Sequence, residues 1–145
     1  MIGQRHARRT SSGRGQSLVE FALVFPIVIV VLLAIFDLGR LVFAYNDITN
    51  AARQGARTAI IDQGGSAAVD RVIQMGTSLN LTPADVDITY IQADGSACPN
   101  PKTLACQVVV TVQYAWSAIT PVIGNIVGPI TVSTTAQMPI ERIFP

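Results

Sequence analysis

The sequence predicts an α+β protein with a long N-terminal helix, a short second helix and a small antiparallel sheet of about three strands. An apolar run near the N-terminus continues into a stretch with helical periodicity, and alternating apolar residues follow only in the second half of the chain. Of the 145 residues, 50% are hydrophobic, which is at the upper end of the range for a soluble domain. We therefore expect part of the chain to face lipid.

The apolar run extends from Leu18 to Phe36, with Glu20 as its only charge and Asp37 directly after it. As a helix it spans roughly 28 Å, close to the bilayer hydrocarbon thickness of about 30 Å. The residues after Phe36 lack the small-x-small cut site of a secretory signal peptide. Four arginines precede the run, namely Arg5, Arg8, Arg9 and Arg14. Since positive charge stays on the cytoplasmic side, the N-terminus is expected to be cytoplasmic and the remainder extracytoplasmic.

The helix is predicted to continue beyond the membrane, because apolar and small residues recur at steps of three and four as far as Ala59. One helix of about 45 residues results, and Gly64-Gly65 ends it. Ser66 is the expected N-cap of a short second helix, which Pro83 closes. One side of this second helix is expected to carry Val69, Val72, Ile73 and Leu79.

From Asp85 onward the apolar period changes to two, which predicts strands. Three alternating segments cover 86–91, 108–116 and 130–138. The sheet must bury one apolar face, and the 38–61 stretch of the helix is the only long amphipathic partner, so we expect the sheet to pack there. Between the last two strands, Ile119, Val122, Ile123, Ile126 and Val127 keep helical spacing. This short apolar turn is interpreted as core, with an exposed patch for a partner or a membrane surface as the alternative.

The predicted organisation has four segments. Residues 1–15 form a basic leader, and 16–37 form the membrane-spanning half of the long helix. Residues 38–63 form its amphipathic continuation, and 64–145 form an extracytoplasmic domain of one helix and antiparallel strands. Cys98 and Cys106 flank turn-forming residues in this domain. They predict a hairpin loop closed by a disulfide, with two reduced structural thiols as the alternative.

The junction between leader and apolar run reads Gly15-Gln16-Ser17-Leu18-Val19-Glu20, which matches the G-x-x-x-x-E signature at which prepilin peptidases cut. The alternative is a plain anchor whose Glu20 snorkels to the headgroups. A carboxylate one turn into a membrane helix costs on the order of 2 to 3 kcal/mol. Cleavage after Gly15 would supply the new α-amine of Gln16 as a cationic partner on the same or a neighbouring chain. We therefore assign Glu20 a role in assembly as well as in recognition by the peptidase.

Small residues on the second half of the long helix would let another backbone approach closely. Together with Glu20, Ala52, Gly55 and Ala56 are the predicted assembly interface, and close contact with the chain's own sheet is the equally weighted alternative.

The stretches GQSLVEFAL at 15–23, DLGRLVFAY at 37–45 and AARQGAR at 51–57 closely resemble the N-terminal region of the TadE-like family, pseudopilins of tight adherence (Tad, Flp-type) pilus systems. The resemblance implies a pilin-like fold, cleavage after Gly15, residence in the bacterial cytoplasmic membrane and a structural part in pilus assembly. Its implied partners are the membrane, a prepilin peptidase, other pilin-like subunits and pilus assembly components. One departure is Pro139, which stands where relatives look strand-like and leaves the extent of the last strand open.

The residue inventory argues against other functions. The arginines lie on a short tip without interleaved aromatic residues, which disfavours nucleic-acid binding. The only histidine is His6, the only lysine is Lys102, and neither a G-x-S-x-G motif nor a phosphate-binding glycine loop occurs. We expect no enzyme activity, cofactor, metal or small-molecule substrate. Asp85 and Asp87 are interpreted as solvated turn residues or a weak calcium contact.

Two further classes stay open on the sequence. The first is a membrane-tethered extracytoplasmic binding module with an uncleaved anchor, and cleavage after Gly15 separates it from a pseudopilin. The second is an anchored enzyme, which would have to use Asp85 and Asp87.

Overall fold

The structure, a computed structural model, describes residues 13–99 and 103–141. Arg5, Arg8 and Arg9 of the predicted leader and positions 100–102 of the cysteine loop lie outside these residues. The helices are α1 (Gly13–Ala59), α2 (Ser66–Met75) and α3 (Pro121–Val127), and the strands are β1 (Val86–Gln92), β2 (Cys106–Trp116) and β3 (Ile130–Pro139). Two short 3-10 turns, Thr77–Leu79 and Pro83–Asp85, connect α2 to β1. The predicted α+β class is confirmed in its helices and in its three-stranded antiparallel sheet.

Helix α1 is one continuous element that contains Pro26. Its first half is exposed along nearly its whole length, and its second half is buried on one face. The helix ends at Ala59, before the predicted stop at Gly64-Gly65. The backbone N–H groups of Ile61 and Asp62 both donate to the Thr58 carbonyl, at 3.0 and 2.8 Å, and this tight turn terminates the helix.

The start of α2 differs from the prediction that Ser66 caps it. The residue before the helix is Gly65, which has a φ of 85°, a left-handed conformation that favours glycine. The Asp62 carboxylate takes the capping role from outside the helix, because it accepts hydrogen bonds from the backbone N–H of Gly64 at 3.3 Å and of Ala67 at 3.1 Å. Pro83 lies further on than expected, since α2 ends at Met75 and Pro83 begins the second 3-10 turn.

The sheet has the order β1-β2-β3 with both pairs antiparallel. Trp116 pairs with Ile130 at one end of β2 and β3, and Gln107 pairs with Pro139 at the other. Pro139 is tolerated there because β3 is an edge strand and needs no second ladder. Strand β3 therefore includes Pro139. One further backbone hydrogen bond to β2 follows it, from the N–H of Ile140 to the Cys106 carbonyl at 3.0 Å.

The hydrophobic core lies between the second half of α1, helix α2 and one face of the sheet. Alternate residues of β2 are buried, as the period of two requires. This confirms that the sheet packs on α1, and the contacts of α1 extend to β2, β3 and α2. The core residues are Ile48, Ala51, Ala52, Ala56, Ala59, Ala68, Val72, Leu81, Val108, Val110 and Val112.

The small residues of α1 face this core in place of the expected contact with another subunit. Ala52 and Ala56 are fully buried. At Gly55 an added Cβ would clash with Val72 Cγ2 of α2 and would lie 3.5 Å from Val110 Cγ1 of β2. A second subunit could contact these positions only by displacing α2 or the sheet, so the structure favours the alternative of internal packing.

Candidate functional site

The predicted processing junction lies at the exposed N-terminal end of α1. Gly15 is in the helix, and a Cβ placed on it would meet no atom within 4 Å. Gln16 and Glu20 are one helical turn apart, and Gln16 Nε2 lies 3.4 Å from Glu20 Oε1. The two side chains are therefore neighbours on one face of the helix.

The first half of α1 carries a continuous apolar surface that the rest of the described chain does not cover. Its 18-residue window of highest hydropathy has a mean of 3.0 and is 0% buried. Large side chains such as Leu18, Leu23 and Ile27 are each more than 60% exposed. This helix is long and apolar enough to cross a membrane, and it is the feature expected of a membrane anchor.

The apolar run of α1 is followed by Asp37, a residue that is only 2% exposed, while Leu38, Val42 and Phe43 further along the helix are again more than half exposed. The Asp37 carboxylate accepts hydrogen bonds from the backbone N–H of Ile119 at 3.1 Å and of Thr120 at 3.0 Å. Arg40 Nη1 lies 3.4 Å from Asp37 Oδ1. Because Thr120 directly precedes α3, a single carboxylate of α1 holds the start of α3 against the helix.

Helix α3 is largely exposed, so the favoured prediction of a core helix is wrong. Ile126 is 79% exposed, Ile119 67% and Val127 52%, while Ile123 is half-buried. The exposed patch, which was the alternative, is what the structure contains. The reason is geometric, since α3 lies at the end of the sheet beside α1 and no other element of the described residues covers its outer side.

A shallow apolar groove of about 290 Å³ separates α3 from α1. It is lined by Ala34, Asp37, Leu38 and Leu41 of α1, by Trp116 and Ile130 of the sheet, and by Ile123 and Val127 of α3. Trp116 is buried, and among the described residues its Nε1 has no hydrogen-bond partner. The groove brings the end of the apolar half of α1, the end of the sheet and α3 together in one place.

The opposite end of the sheet carries a disulfide between Cys98 and Cys106, with 5.9 Å between the two Cα atoms. Cys98 N–H also donates to the Tyr90 carbonyl at 3.0 Å, so the loop is fixed to β1. In the preceding turn, hydrogen bonds from the Ser96 hydroxyl and backbone N–H lower the pKa of Asp94 below its usual 3.8. From Asp37 to the end of α1 the distance is about 33 Å, which separates this loop from the apolar groove.

The sequence-predicted site residues therefore fall into three separate places. Gly15, Gln16 and Glu20 lie together at the start of α1, the cysteines lie at the distal end of the sheet, and the small residues lie in the core. Asp37 and Thr120 were not assigned a shared role by sequence reasoning. The signal available for them was weak: an acid that closes an apolar run, and a Thr-Pro pair at a helix start.

These features define an α+β protein with a long N-terminal helix that is apolar and uncovered in its first half and packs on an antiparallel sheet in its second half. A family model described as TadE-like protein matches residues 15–57. The resemblance to the TadE-like family is therefore confirmed over a segment that begins at the processing junction and ends two residues before the end of α1.

The match associates the chain with Tad pilus systems. It covers the residues of the junction, the apolar half of α1 and the buried half that carries Gly55. Searches for similar curated proteins and for similar solved structures found no match.

Proposed function

We propose that the chain is a minor pseudopilin with a structural role in the assembly of a Tad or Flp-type pilus. The observation that carries the proposal is the family match over residues 15–57, which begins at the glycine of the G-x-x-x-x-E junction. In this proposal a prepilin peptidase cuts after Gly15, and the mature chain begins at Gln16. The role is structural and needs no catalytic residue in the chain.

The topology proposed for the chain follows the four segments of the sequence. Residues 1–15 are the cytoplasmic leader, 16–37 cross the cytoplasmic membrane, and 38–145 are extracytoplasmic. Two findings support this arrangement. Asp37 is the first buried residue of α1 among those described, and from there on the head of the protein covers one face of the helix. The head also contains a disulfide at its far end, and disulfides persist in oxidising compartments.

Glu20 is proposed to serve the assembly of subunits through the α-amine that cleavage creates on Gln16. The side chain of Gln16 already lies 3.4 Å from the Glu20 carboxylate, so the amine of the same chain or of a neighbour can approach it. Within the hydrocarbon region a paired charge is far less costly than an isolated one. Of the four residues predicted to form the assembly interface, only Glu20 is exposed, because Ala52, Gly55 and Ala56 are buried.

The test is the intact mass and N-terminal sequence of the membrane-extracted protein, from cells with and without their prepilin peptidase. The proposal expects a chain that begins at Gln16 only when the peptidase is present. A full-length chain in both backgrounds would contradict it and would favour a membrane-tethered binding module with an uncleaved anchor. Under non-reducing conditions the same spectrum reports the disulfide as a loss of about two mass units.

Substitution at Gly15 has a matched control in the same helix. Gly15→Val should abolish cleavage, because the peptidase reads the residue before the cut. Gly39→Val should leave cleavage unchanged, and neither added Cβ meets an atom within 4 Å. Equal processing of both variants would contradict the assignment of Gly15.

Glu20 is tested separately from the cut. Glu20→Gln should reduce the incorporation of the processed subunit into the pilus apparatus, whereas Glu20→Asp should retain most of it because the charge is kept. Incorporation is measured by co-purification with the pilus assembly components. If Glu20→Gln leaves both cleavage and incorporation at the level of the unmodified chain, the role of Glu20 is wrong.

A further inference from the structure

Helix α3 and the residues just before it present three large apolar side chains to solvent at one end of the head. Ile126 is 79% exposed, Ile119 67% and Val127 52%. They lie on a helix and the residues that precede it, and they are held in place by the Asp37 carboxylate. Exposed apolar residues that are fixed in position and close together mark a contact surface.

The chain around this surface carries no charge. No Asp, Glu, Lys or Arg occurs between Lys102 and Glu141, a stretch that contains β2, α3 and β3. The α1 carboxylate that contacts the start of this surface, Asp37, is paired with Arg40. A surface without charge avoids the cost of bringing ionised groups towards hydrocarbon.

The residues that line the groove between α1 and α3 show where α3 lies along α1. Ala34 lies on the α1 side of that groove, and Val127 lies on the α3 side. Ala34 belongs to the apolar half of α1, about 4.5 Å along the axis before Asp37. Helix α3 thus lies beside the turns of α1 on either side of Asp37 and not at the distal end of the head.

We infer that α3 lies in the lipid interface of the extracytoplasmic leaflet, with Ile119, Ile126 and Val127 inserted beside the point where α1 leaves the bilayer. The inference rests on the membrane span of the proposed function and adds a second contact with lipid. Interfacial helices insert their apolar side about 5–10 Å into the boundary between headgroups and acyl chains. With the span ending at Asp37, Ala34 lies about 4.5 Å below that end, near the shallow limit of this range.

Lipid fits this surface better than a second copy of the chain does. Three side chains supply a few hundred Å² of apolar surface, on the order of the largest patch on an ordinary monomer, whereas a stable protein interface buries about 600 Å² or more on each partner. The patch is also continuous with the apolar half of α1, so a bilayer that surrounds α1 up to Asp37 already lies against α3.

The experiment uses the full chain in lipid vesicles, with the native disulfide oxidised and one nitroxide label attached to an added cysteine. Ile126→Cys and Ile119→Cys place the label on the patch, and their high exposure means that the fold tolerates the change. Leu32→Cys reports on the span, and Asp87→Cys on the exposed surface of β1. Each label is measured for its accessibility to dissolved oxygen, which partitions into lipid, and to a water-soluble nickel chelate.

The inference expects oxygen to exceed the chelate at positions 126, 119 and 32, and the chelate to exceed oxygen at position 87. Chelate access at 126 and 119 together with a lipid signal at 32 would overturn the inference and leave the membrane span intact. Low access to both reagents at 126 would overturn it in favour of a protein partner or second copy. A water signal at position 32 would overturn both the inference and the proposed span.

Discussion

The Asp37 carboxylate accepts a hydrogen bond from the backbone N–H of Thr120 at 3.0 Å, across 83 positions of sequence. Its other oxygen accepts the N–H of Ile119. The N–H groups of the two residues that precede α3 are thus both satisfied by one side chain of α1. The orientation of α3 is therefore set by the long helix and not by the loop that leads to it.

The Asp37→Asn variant should weaken the attachment of α3. The amide retains one oxygen that can accept a hydrogen bond, but it loses the charge and the second acceptor. We expect the melting temperature in detergent micelles to fall by several degrees, with an early change in the fluorescence of Trp116, the single tryptophan, which lines the same groove. Asp70→Asn, at an exposed position of α2, is the control. An equal effect of the two variants would contradict this role of Asp37.

The Gly55→Ala variant should destabilise the packing of α2 on α1. The added methyl would clash with Val72 Cγ2, and valine has little rotamer freedom with which to move aside. Overpacking of this kind costs about 1–3 kcal/mol of unfolding free energy. Denaturant unfolding in micelles measures it.

Two comparisons separate the clash from a general effect of replacing glycine. Gly39→Ala, where no atom lies within 4 Å, should be neutral or slightly stabilising because alanine favours a helix. The double variant Gly55→Ala, Val72→Ala should recover part of the loss. A destabilising Gly39→Ala, or a double variant no better than the sum of its two changes, would contradict the proposed clash.

Reduction of the Cys98–Cys106 disulfide should destabilise the head. The bridge joins residues 8 positions apart, and a loop of this size contributes about 2.5 kcal/mol on the chain-entropy estimate. The unfolding free energy is compared with and without a thiol reductant. The double variant Cys98→Ala, Cys106→Ala should be less stable and insensitive to the reductant, and a reductant effect in that variant would show a different cause.

Tyr90 should release its proton only above pH 10. Burial raises the pKa of its hydroxyl above the usual 10.0, and the negative charge of Asp62 adds to the effect. The hydroxyl also donates to the Ala59 carbonyl at 3.2 Å. Because the folded state holds this proton more tightly than the unfolded state, the associated stability is fully present below pH 10 and is lost as the pH rises from there through the folded pKa.

The measurement for Tyr90 is the ultraviolet absorbance of tyrosinate during alkaline titration. Subtracting the curve of Tyr90→Phe from that of the unmodified chain isolates the one group. Asp62→Asn should move its midpoint downward by removing the charge. A difference curve with its midpoint at or below pH 10 would contradict the assignment.

The elements of this fold could be predicted because their signals are local. The apolar run up to Phe36 and the later helical spacing define α1, and a strict period of two defines β2 and β3. The antiparallel sheet on α1 then follows from the need to bury one face of each. The end of α1 differs from the prediction because the chain turns at the Thr58 carbonyl before it reaches the glycines. The cap of α2 differs because Asp62 performs the task that sequence patterns assign to Ser66.

The contacts that place the site could not be predicted, because they join distant residues. Nothing local to Asp37 indicates that its partner is the backbone of Thr120. Helix α3 has the spacing of a core helix, and only its place at the end of the sheet leaves Ile126 exposed. Small residues such as Gly55 suit either contact between subunits or internal contact, and the position of α2 decides between them.

The order of strands in the sheet has a consequence for biogenesis. Because β1, β2 and β3 are neighbours in the order in which they occur along the chain, the sheet can grow by adding each strand to the open edge of the previous one. A chain that threads through a translocation channel from residue 38 onward delivers the strands in the same order. Each strand after β1 finds its partner already present, so in the proposed topology folding can keep pace with export.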